Sequence, residues 1–318
     1  MSKFHEYLIK RIGYTVVTLF FVSLVIFAVT QILPGNAADV ILGRYATPDR
    51  VAVVEEQLGL DNPLHLQYID WLLSILSGDW GTSFIYDQPI GEIILPRLIR
   101  SLQLALVSLT MMTLLGIPLG VIAASRSGTL TGTLVTSGAY LGVSVPAFVV
   151  AILLLLFFAG PYLIILPSGG YEPMSSGIWT WFQYLILPSL ALTIGGTTHI
   201  LRQTRTEMIE TLQADYTRSA RIKGVPEFWA VTKHALRNGL LPAVTVIGLQ
   251  FGWLMGGLVV IEEIFTYPGI GQLVIIAIEN RDIPLLQILI LIIATSYMVA
   301  NLVADIVYTR LDPRIEYE

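Results

Sequence analysis

The feature that most limits what this chain can fold into is a series of long stretches without a charged side chain. A helix needs roughly 20 apolar residues to cross the hydrocarbon core of a bilayer. Ile12 to Leu33 is uncharged throughout. Ser101 to Ala124 is a second such run and carries Pro118. The uncharged stretch between Arg126 and Glu172 holds a third, about Thr133 to Ala159, with Pro146 inside it. A fourth runs from about Tyr184 to Ile200, a fifth from Leu240 to Ile261 and a sixth from about Pro284 to Ala304. These runs predict an all-α integral membrane protein with six transmembrane helices. Lys10-Arg11 ahead of the first run invites a signal-peptide reading as well. A signal core spans only about 7–15 residues, so a first transmembrane helix is expected. Composition agrees, because charged residues make up 13% of the 318 and mean hydropathy is +0.72. Soluble domains carry about 25%. A soluble enzyme, a disordered chain and a nucleic-acid binder are thereby excluded, and a net charge of −5 offers no basic surface to a polyanion. There are no cysteines, which removes disulfides and thiolate metal sites.

The distribution of Lys and Arg orients the spans. With six of them, both termini share a side with segments 125–132 and 202–239. That side collects Lys3, Lys10, Arg11, Arg126, Arg202, Arg205, Arg218, Arg221, Lys223, Lys233, Arg237, Arg310 and Arg314, against Arg44, Arg50, Arg97, Arg100 and Arg281 on the other. The termini are expected to be cytoplasmic. The chain then divides into a cytoplasmic segment 1–11, a first helix 12–33, an extracytoplasmic domain 34–100, a five-helix core 101–308 containing the cytoplasmic segment 202–239, and a tail 309–318.

Two stretches lie outside the spans. In 34–100, punctuated by Pro34-Gly35, Pro48, Asn62-Pro63, Gly78 and Pro89, helices are predicted at 48–58 and 64–76. This segment suits either a docking platform for an external partner or an amphipathic cap on the bilayer. In 202–239, Asp215 opens a short helix ending near Lys223, where Arg221 and Lys223 suit the helix dipole. Gly224 then supplies a left-handed C′ residue. Pro226 and Glu227 start a second helix that closes at Asn238-Gly239, with Val225, Phe228, Trp229, Thr232 and Leu236 on one face. Such a helix–glycine–helix unit could lie along lipid headgroups or present a rigid knob to a protein.

Chemistry of its own is missing from the chain. None of its four lysines sits in a phosphate-binding loop. The four histidines have no metal-ligand spacing, and no G-x-S-x-G elbow occurs. Among polar residues in the spans, Gln103, Gln250 and Asn301 are candidates to line a polar path, whereas Asp305 has a structural reading, in water or paired with Arg310. Gly116 and Gly120, and Gly248, Gly252 and Gly256, recur every four residues and predict close helix contacts, possible within the chain or with another subunit.

The segment Asp215-Tyr216-Thr217-Arg218-Ser219-Ala220-Arg221-Ile222-Lys223-Gly224, followed by His234-Ala235-Leu236-Arg237-Asn238-Gly239-Leu240-Leu241-Pro242, resembles the cytoplasmic loop of ABC importer permeases of the dipeptide/oligopeptide/nickel family. Glu262-Glu263-Ile264-Phe265-Thr266-Tyr267-Pro268-Gly269-Ile270-Gly271 resembles the outer loop after span five in that family. Leu58-Gly59-Leu60-Asp61, Gln67-Tyr68 and Gly78-Asp79-Trp80-Gly81 resemble its outer domain, and Asp312-Pro313-Arg314 its C-terminal end. Arg218-Ser219-Ala220 stand where the general loop pattern has Glu-Ala-Ala, as is usual in the peptide branch. Asn36-Ala37 stand where Asp-Pro is common.

The resemblance implies a type I importer permease that is not itself an enzyme, in a prokaryotic inner membrane. It implies a second homologous permease subunit, two ATPase subunits that hold ATP and Mg, and an extracytoplasmic solute-binding protein as partners. No cofactor or metal is expected in this chain. Asp215, Tyr216, Arg218, Ser219, Ala220, Arg221, Lys223 and Gly224 would contact the ATPase. Asp61, Gln67, Tyr68, Asp79 and Trp80 would face the binding protein. The solute would be a peptide, or, as relatives allow, an oligosaccharide or a nickel complex. A self-sufficient carrier and a membrane scaffold are the rival classes.

Overall fold

A computed structural model describes residues 3–32, 42, 47–57, 61–160 and 163–311. Among them the structure is helical, with one isolated bridge between Thr82 and Pro89. Pro34 to Ala37, Leu58 to Leu60 and Asp312 to Arg314 lie outside the described residues.

The helices are α1 (Lys3–Ile32), α2 (Pro48–Gln57), α3 (Leu64–Ser77), α4 (Ile90–Ser125), α5 (Leu130–Ser144), α6 (Ala147–Phe158), α7 (Ile178–Gln213) and α8 (Asp215–Ile222). A continuous helical stretch, α9, follows as Glu227–Trp229, the π-helical Ala230–Ala235 and Leu236–Gly239. The chain then forms α10 (Leu241–Ile264), α11 (Ile270–Glu279) and α12 (Ile283–Leu311). Among the described residues five helices are long and apolar enough to cross a membrane (α1, α4, α7, α10, α12), and α5 with α6 makes a sixth span if the pair is counted as one.

That pair departs from the expected unbroken third span, since α5 and α6 meet at 97°. The cause is local. Val145 precedes Pro146, and the proline ring drives the preceding residue out of the helical region. Val145 accordingly sits at φ −93, ψ 122 and ends α5. Pro118 and Pro188 lie inside α4 and α7 without ending them. Two spans are also longer than their uncharged cores. The helix expected over 101–124 starts at Ile90, and the one expected over 184–200 reaches from Ile178 to Gln213. The last of these means that the first turns of segment 202–239 continue a span and are not loop.

α4 and α7 form the central seam, and small residues let them close. A Cβ added at Gly116 would lie 2.8 Å from the Ile200 Cβ, and one at Gly120 would lie 2.6 Å from the Thr204 Cβ. The glycine series of α10 has its partner inside the chain at two positions. Gly248 abuts Ala304 and Gly252 faces Tyr297, both on α12, whereas Gly256 faces open space. The main core joins Leu104 and Met112 of α4 with Leu192 and Ile200 of α7 and Leu254 and Leu258 of α10. A second core sits where Ile90 and Ile94 of α4 meet Leu273 of α11 and Leu285 and Leu289 of α12. Helix α1 is peripheral. It leans on α12, where Thr30 accepts a 2.7 Å bond from Gln287 Nε2 and Arg11 pairs with Asp305 at 3.1 Å. The side chain of Arg310, the partner expected for Asp305, lies outside the described residues.

Candidate functional site

The unit at the basic end of the bundle is built by a few local devices. Asp215 lies in the first turn of α8 and Arg221 in its last, so both charges match the helix dipole. Gly224 has φ +83, the left-handed conformation that turns the chain at the helix end. Arg221 then ties three elements together. Its Nε and Nη2 donate to both carboxylate oxygens of Glu227 at 2.9 and 2.7 Å, and its Nη1 donates to the Leu212 carbonyl at 3.2 Å. That bond to Arg221 holds the Glu227 carboxyl below its ordinary pKa. Thr217, fully buried, donates to the Thr211 carbonyl at 2.7 Å. The end of α7, α8 and the start of α9 therefore form one braced block.

The face expected to be apolar on the second helix is divided. α9 buries Ala230, Val231, Ala235 and Gly239 against Met208 and Leu212 of α7. Phe228 and Trp229, stacked edge-on at 5.4 Å, point outward at 66% and 53% exposure. Ile222 is 86% exposed and Tyr216 43%. Small residues make the inner contact because α9 lies close to α7, which displaces the large ones to the outside. Tyr216, Arg218, Lys223 and Gly224 are exposed, while Ala220 is buried. A Cβ at Gly224 would meet nothing within 4 Å among the described residues.

The three polar path candidates belong to three different helix contacts. Gln103 on α4 accepts from Trp181 Nε1 at 3.3 Å and from the Tyr171 hydroxyl at 3.5 Å. Gln250 on α10 donates to the Gly196 carbonyl of α7 at 3.0 Å. Asn301 on α12 faces a cleft shared with Arg11, Thr18 and Tyr297, on the α1 side.

At the acidic end, α3 turns its half-buried face to α1. Tyr68 bonds Ser23 at 2.8 Å and stacks on Phe27, and Trp71 follows one turn on. Gln67 donates to the Asn62 carbonyl, and Gln31 donates to Gln67 at 3.3 Å. Trp80 packs on the second core. Asp61 and Asp79 are exposed, and Asp79 accepts from the Gly81 amide at 3.1 Å.

Two buried carboxylates escaped the sequence reading. Glu262, with no exposed surface, accepts from the Ser101 hydroxyl at 2.5 Å and from the amides of Gly271 and Gln272 at 2.7 and 3.2 Å. It closes the N-terminus of α11, whose first amides have no partner inside the helix. Ser101 in turn accepts from the Ile270 amide at 2.8 Å. The glycines around it are structural: a Cβ at Gly269 would collide with the Glu262 carboxylate, and one at Gly271 would lie 2.5 Å from the Val259 Cα. Tyr267 completes the knot, its hydroxyl donating to the Arg100 carbonyl at 3.0 Å. Asp282, also fully buried, accepts from the Ser83 hydroxyl at 2.5 Å and from the Ile85 and Leu285 amides at 3.2 Å. Asp282 stands directly before α12, where an acid suits a helix start, but Glu262 lies inside α10, eight residues before α11, and nothing in that spacing announces its burial.

Family models match nearly the whole chain. The binding-protein-dependent transport system inner membrane component matches residues 116–317, and the N-terminal part of such membrane components matches residues 4–105. A probable peptide ABC transporter permease protein of Sinorhizobium fredii is 37% identical over 311 residues, covering 98% of this chain and 99% of the relative. Glutathione transport system permease proteins of Salmonella typhimurium and Escherichia coli are 37% identical over 313 residues, with the same coverage. The chain belongs to the binding-protein-dependent ABC importer permeases and is an integral inner membrane protein of that family.

Proposed function

We propose that this permease carries peptides, glutathione-like peptides included, as one of two such subunits of an importer. Both termini are cytoplasmic, two separate ATPase subunits bind ATP and Mg, and an extracytoplasmic protein delivers the solute. The observation that carries this reading is the braced block at the basic end. Arg221 holds α7, α8 and α9 together, and the block leaves Ile222, Phe228 and Trp229 exposed among the described residues. A groove on an ATPase subunit is the occupant that suits an exposed apolar knob flanked by Arg218 and Lys223. The chain has no phosphate-binding loop, so work must enter through such a contact. The solute class comes from the named functions of the relatives, and Gln103, Gln250 and Asn301 remain the proposed polar positions on its route. Asp61 and Asp79 are the exposed positions offered to the delivering protein.

Reconstitution tests the reading. Vesicles holding both permeases and both ATPases are expected to hydrolyse ATP faster when a peptide-loaded binding protein is added, and to accumulate peptide. Uptake by this chain alone, without ATPases, would overturn the assignment in favour of a self-sufficient carrier.

A further inference from the structure

α3 has two apolar faces, and the described chain covers one of them. Tyr68 and Trp71 pack on α1, and Ile75 packs on the second core. Leu66, Ile69, Leu73 and Leu76 recur at steps of three and four residues, so they share another face. They are 43, 46, 58 and 74% exposed. The polar side chains stand apart from both. Gln67, Asp70 and Ser74 line a cleft with Gln31, Asp79 and Gln287, and none of the four exposed residues of the stripe lines it. Only His65, four residues before Ile69, brings a polar side chain to the side of the stripe, at the start of the helix. The helix begins after Pro63 and stops at Gly78, φ +89, so it is a separate rod of 14 residues, about 21 Å long.

The register of α3 on α1 gives its depth. Arg11 is the last charged residue of α1. The residues from Ile12 to Gln31, at 1.5 Å each, cover about 30 Å, the thickness of the hydrocarbon core. Gln31 is thereby set at the far edge, and sliding the span the other way would draw Lys10 and Arg11 into hydrocarbon. Gln67 meets Gln31 at that edge. Trp71 stacks on Phe27, about 6 Å inside it, and the Tyr68 hydroxyl reaches Ser23, about 12 Å inside it. The rod therefore lies at the hydrocarbon boundary with its aromatic side chains below the surface. Helices that lie in this plane sink an apolar face by about 5–10 Å. A protein partner suits the stripe less well, because protein interfaces carry about one hydrogen bond per 100–200 Å² and four aliphatic side chains offer none. We infer that α3 is an interfacial helix whose Leu66, Ile69, Leu73 and Leu76 stripe is sunk among the acyl chains of the leaflet away from Arg11. α3 carries no Lys or Arg, so the contact rests on apolar area and not on headgroup charge. The inference uses α1 as a span, and neither the solute nor the orientation enters it.

The chain has no cysteine, so a single introduced thiol reports one position. The test places a nitroxide at Leu73→Cys or Asp70→Cys in the purified importer, reconstituted into phosphatidylcholine vesicles. Relaxation of the label is then measured with oxygen, which concentrates in lipid, and with a water-soluble nickel chelate. The Leu73 label is expected to respond to oxygen and be shielded from the chelate, and the Asp70 label to respond to the chelate. Raising the salt concentration is expected to leave both responses unchanged. Both residues are exposed, and Ile69→Cys repeats the lipid-facing measurement should Leu73→Cys fail to assemble. A chelate response at Leu73 equal to that at Asp70 would put the stripe in water and overturn the inference. Shielding of Leu73 from both reagents would show a protein cover, from a second permease subunit or a delivering protein, and would overturn it as well. Oxygen access without chelate access at both positions would place the whole helix in hydrocarbon and refute an interfacial setting.

Discussion

Replacing Glu262 by alanine is the most informative perturbation of the fold. The side chain is the shared acceptor for the Ser101 hydroxyl and the Gly271 and Gln272 amides, in a site with no exposed surface. Glu262→Ala leaves three buried donors unmet. Each unmet group costs roughly 1–3 kcal/mol, and removing one partner of a buried charged cluster typically costs about 3–5 kcal/mol in all. For a chain of 318 residues, an unfolding entropy of about 2.1 cal/mol/K per residue converts that to a fall of about 5–8 °C in melting temperature. Glu262→Gln keeps the shape but turns a donor toward a donor, and about half the effect is expected. Glu263, the adjacent acid, is exposed, so Glu263→Ala is expected to stay within about 0.5 kcal/mol of the parent. The assay is thermal unfolding of the detergent-purified chain, read by size-exclusion chromatography after heating. If Glu262→Ala and Glu263→Ala melt within about 1 °C of each other, the reasoning from unmet buried donors fails.

Asp282→Ala is expected to release the segment held by Ser83 and Ile85, costing about 2–3 kcal/mol locally and raising protease cleavage between Asp79 and Pro89; unchanged cleavage refutes that role. Arg221→Ala is expected to cost under about 1 kcal/mol, because the Arg221–Glu227 pair is well exposed to solvent. It should nevertheless lower solute-stimulated ATP hydrolysis by loosening the block, and wild-type stimulation would count against the brace. The same pair fixes a pH response. The folded pKa of Glu227 is depressed, so its contribution is present above the unfolded carboxylate value of about 4.3 and is lost as pH falls through the folded value. The acid limb of a melting curve should therefore lose its Glu227 component in Arg221→Ala. Arg11→Ala and Asp305→Ala are expected to couple by about 0.5–1 kcal/mol in a double-mutant cycle, and purely additive effects would mean that the 3.1 Å pair contributes nothing.

Much of the architecture could be read from charge spacing alone, because a bilayer tolerates few alternatives to uncharged helices. The turn at Gly224 was equally legible, since a left-handed residue after a helix end is a backbone requirement independent of distant contacts. What escaped depends on tertiary context. Pro118, Pro146 and Pro188 look alike in sequence, yet only Pro146 separates two helices, at 97°. Phe228 and Trp229 were read as part of one apolar face, to lie on lipid or meet a protein, and they do point outward; which residues turn inward instead, Ala230, Val231 and Ala235, is set by the closeness of α9 to α7. Tyr68, read as facing a partner, is turned onto Ser23 and Phe27 by the approach of α3 to α1. Glu262 and Asp282 went unread because sequence spacing does not tell an exposed acid from a buried one.

Helix α7 carries a mechanical consequence of its length. At a rise of 1.5 Å per residue, its 36 residues form a rod of about 54 Å, well beyond a hydrocarbon core of about 30 Å. Its far end begins after Gly177, beside the turn that Gly170 ties to Phe265, and its near end is stapled to α8 and α9 through Arg221 and Thr217. A tilt of only about 5° about one end would swing the other by about 5 Å, the rise of one helical turn. A small angular step applied at the braced block would therefore reach the opposite surface as a displacement the size of a side chain.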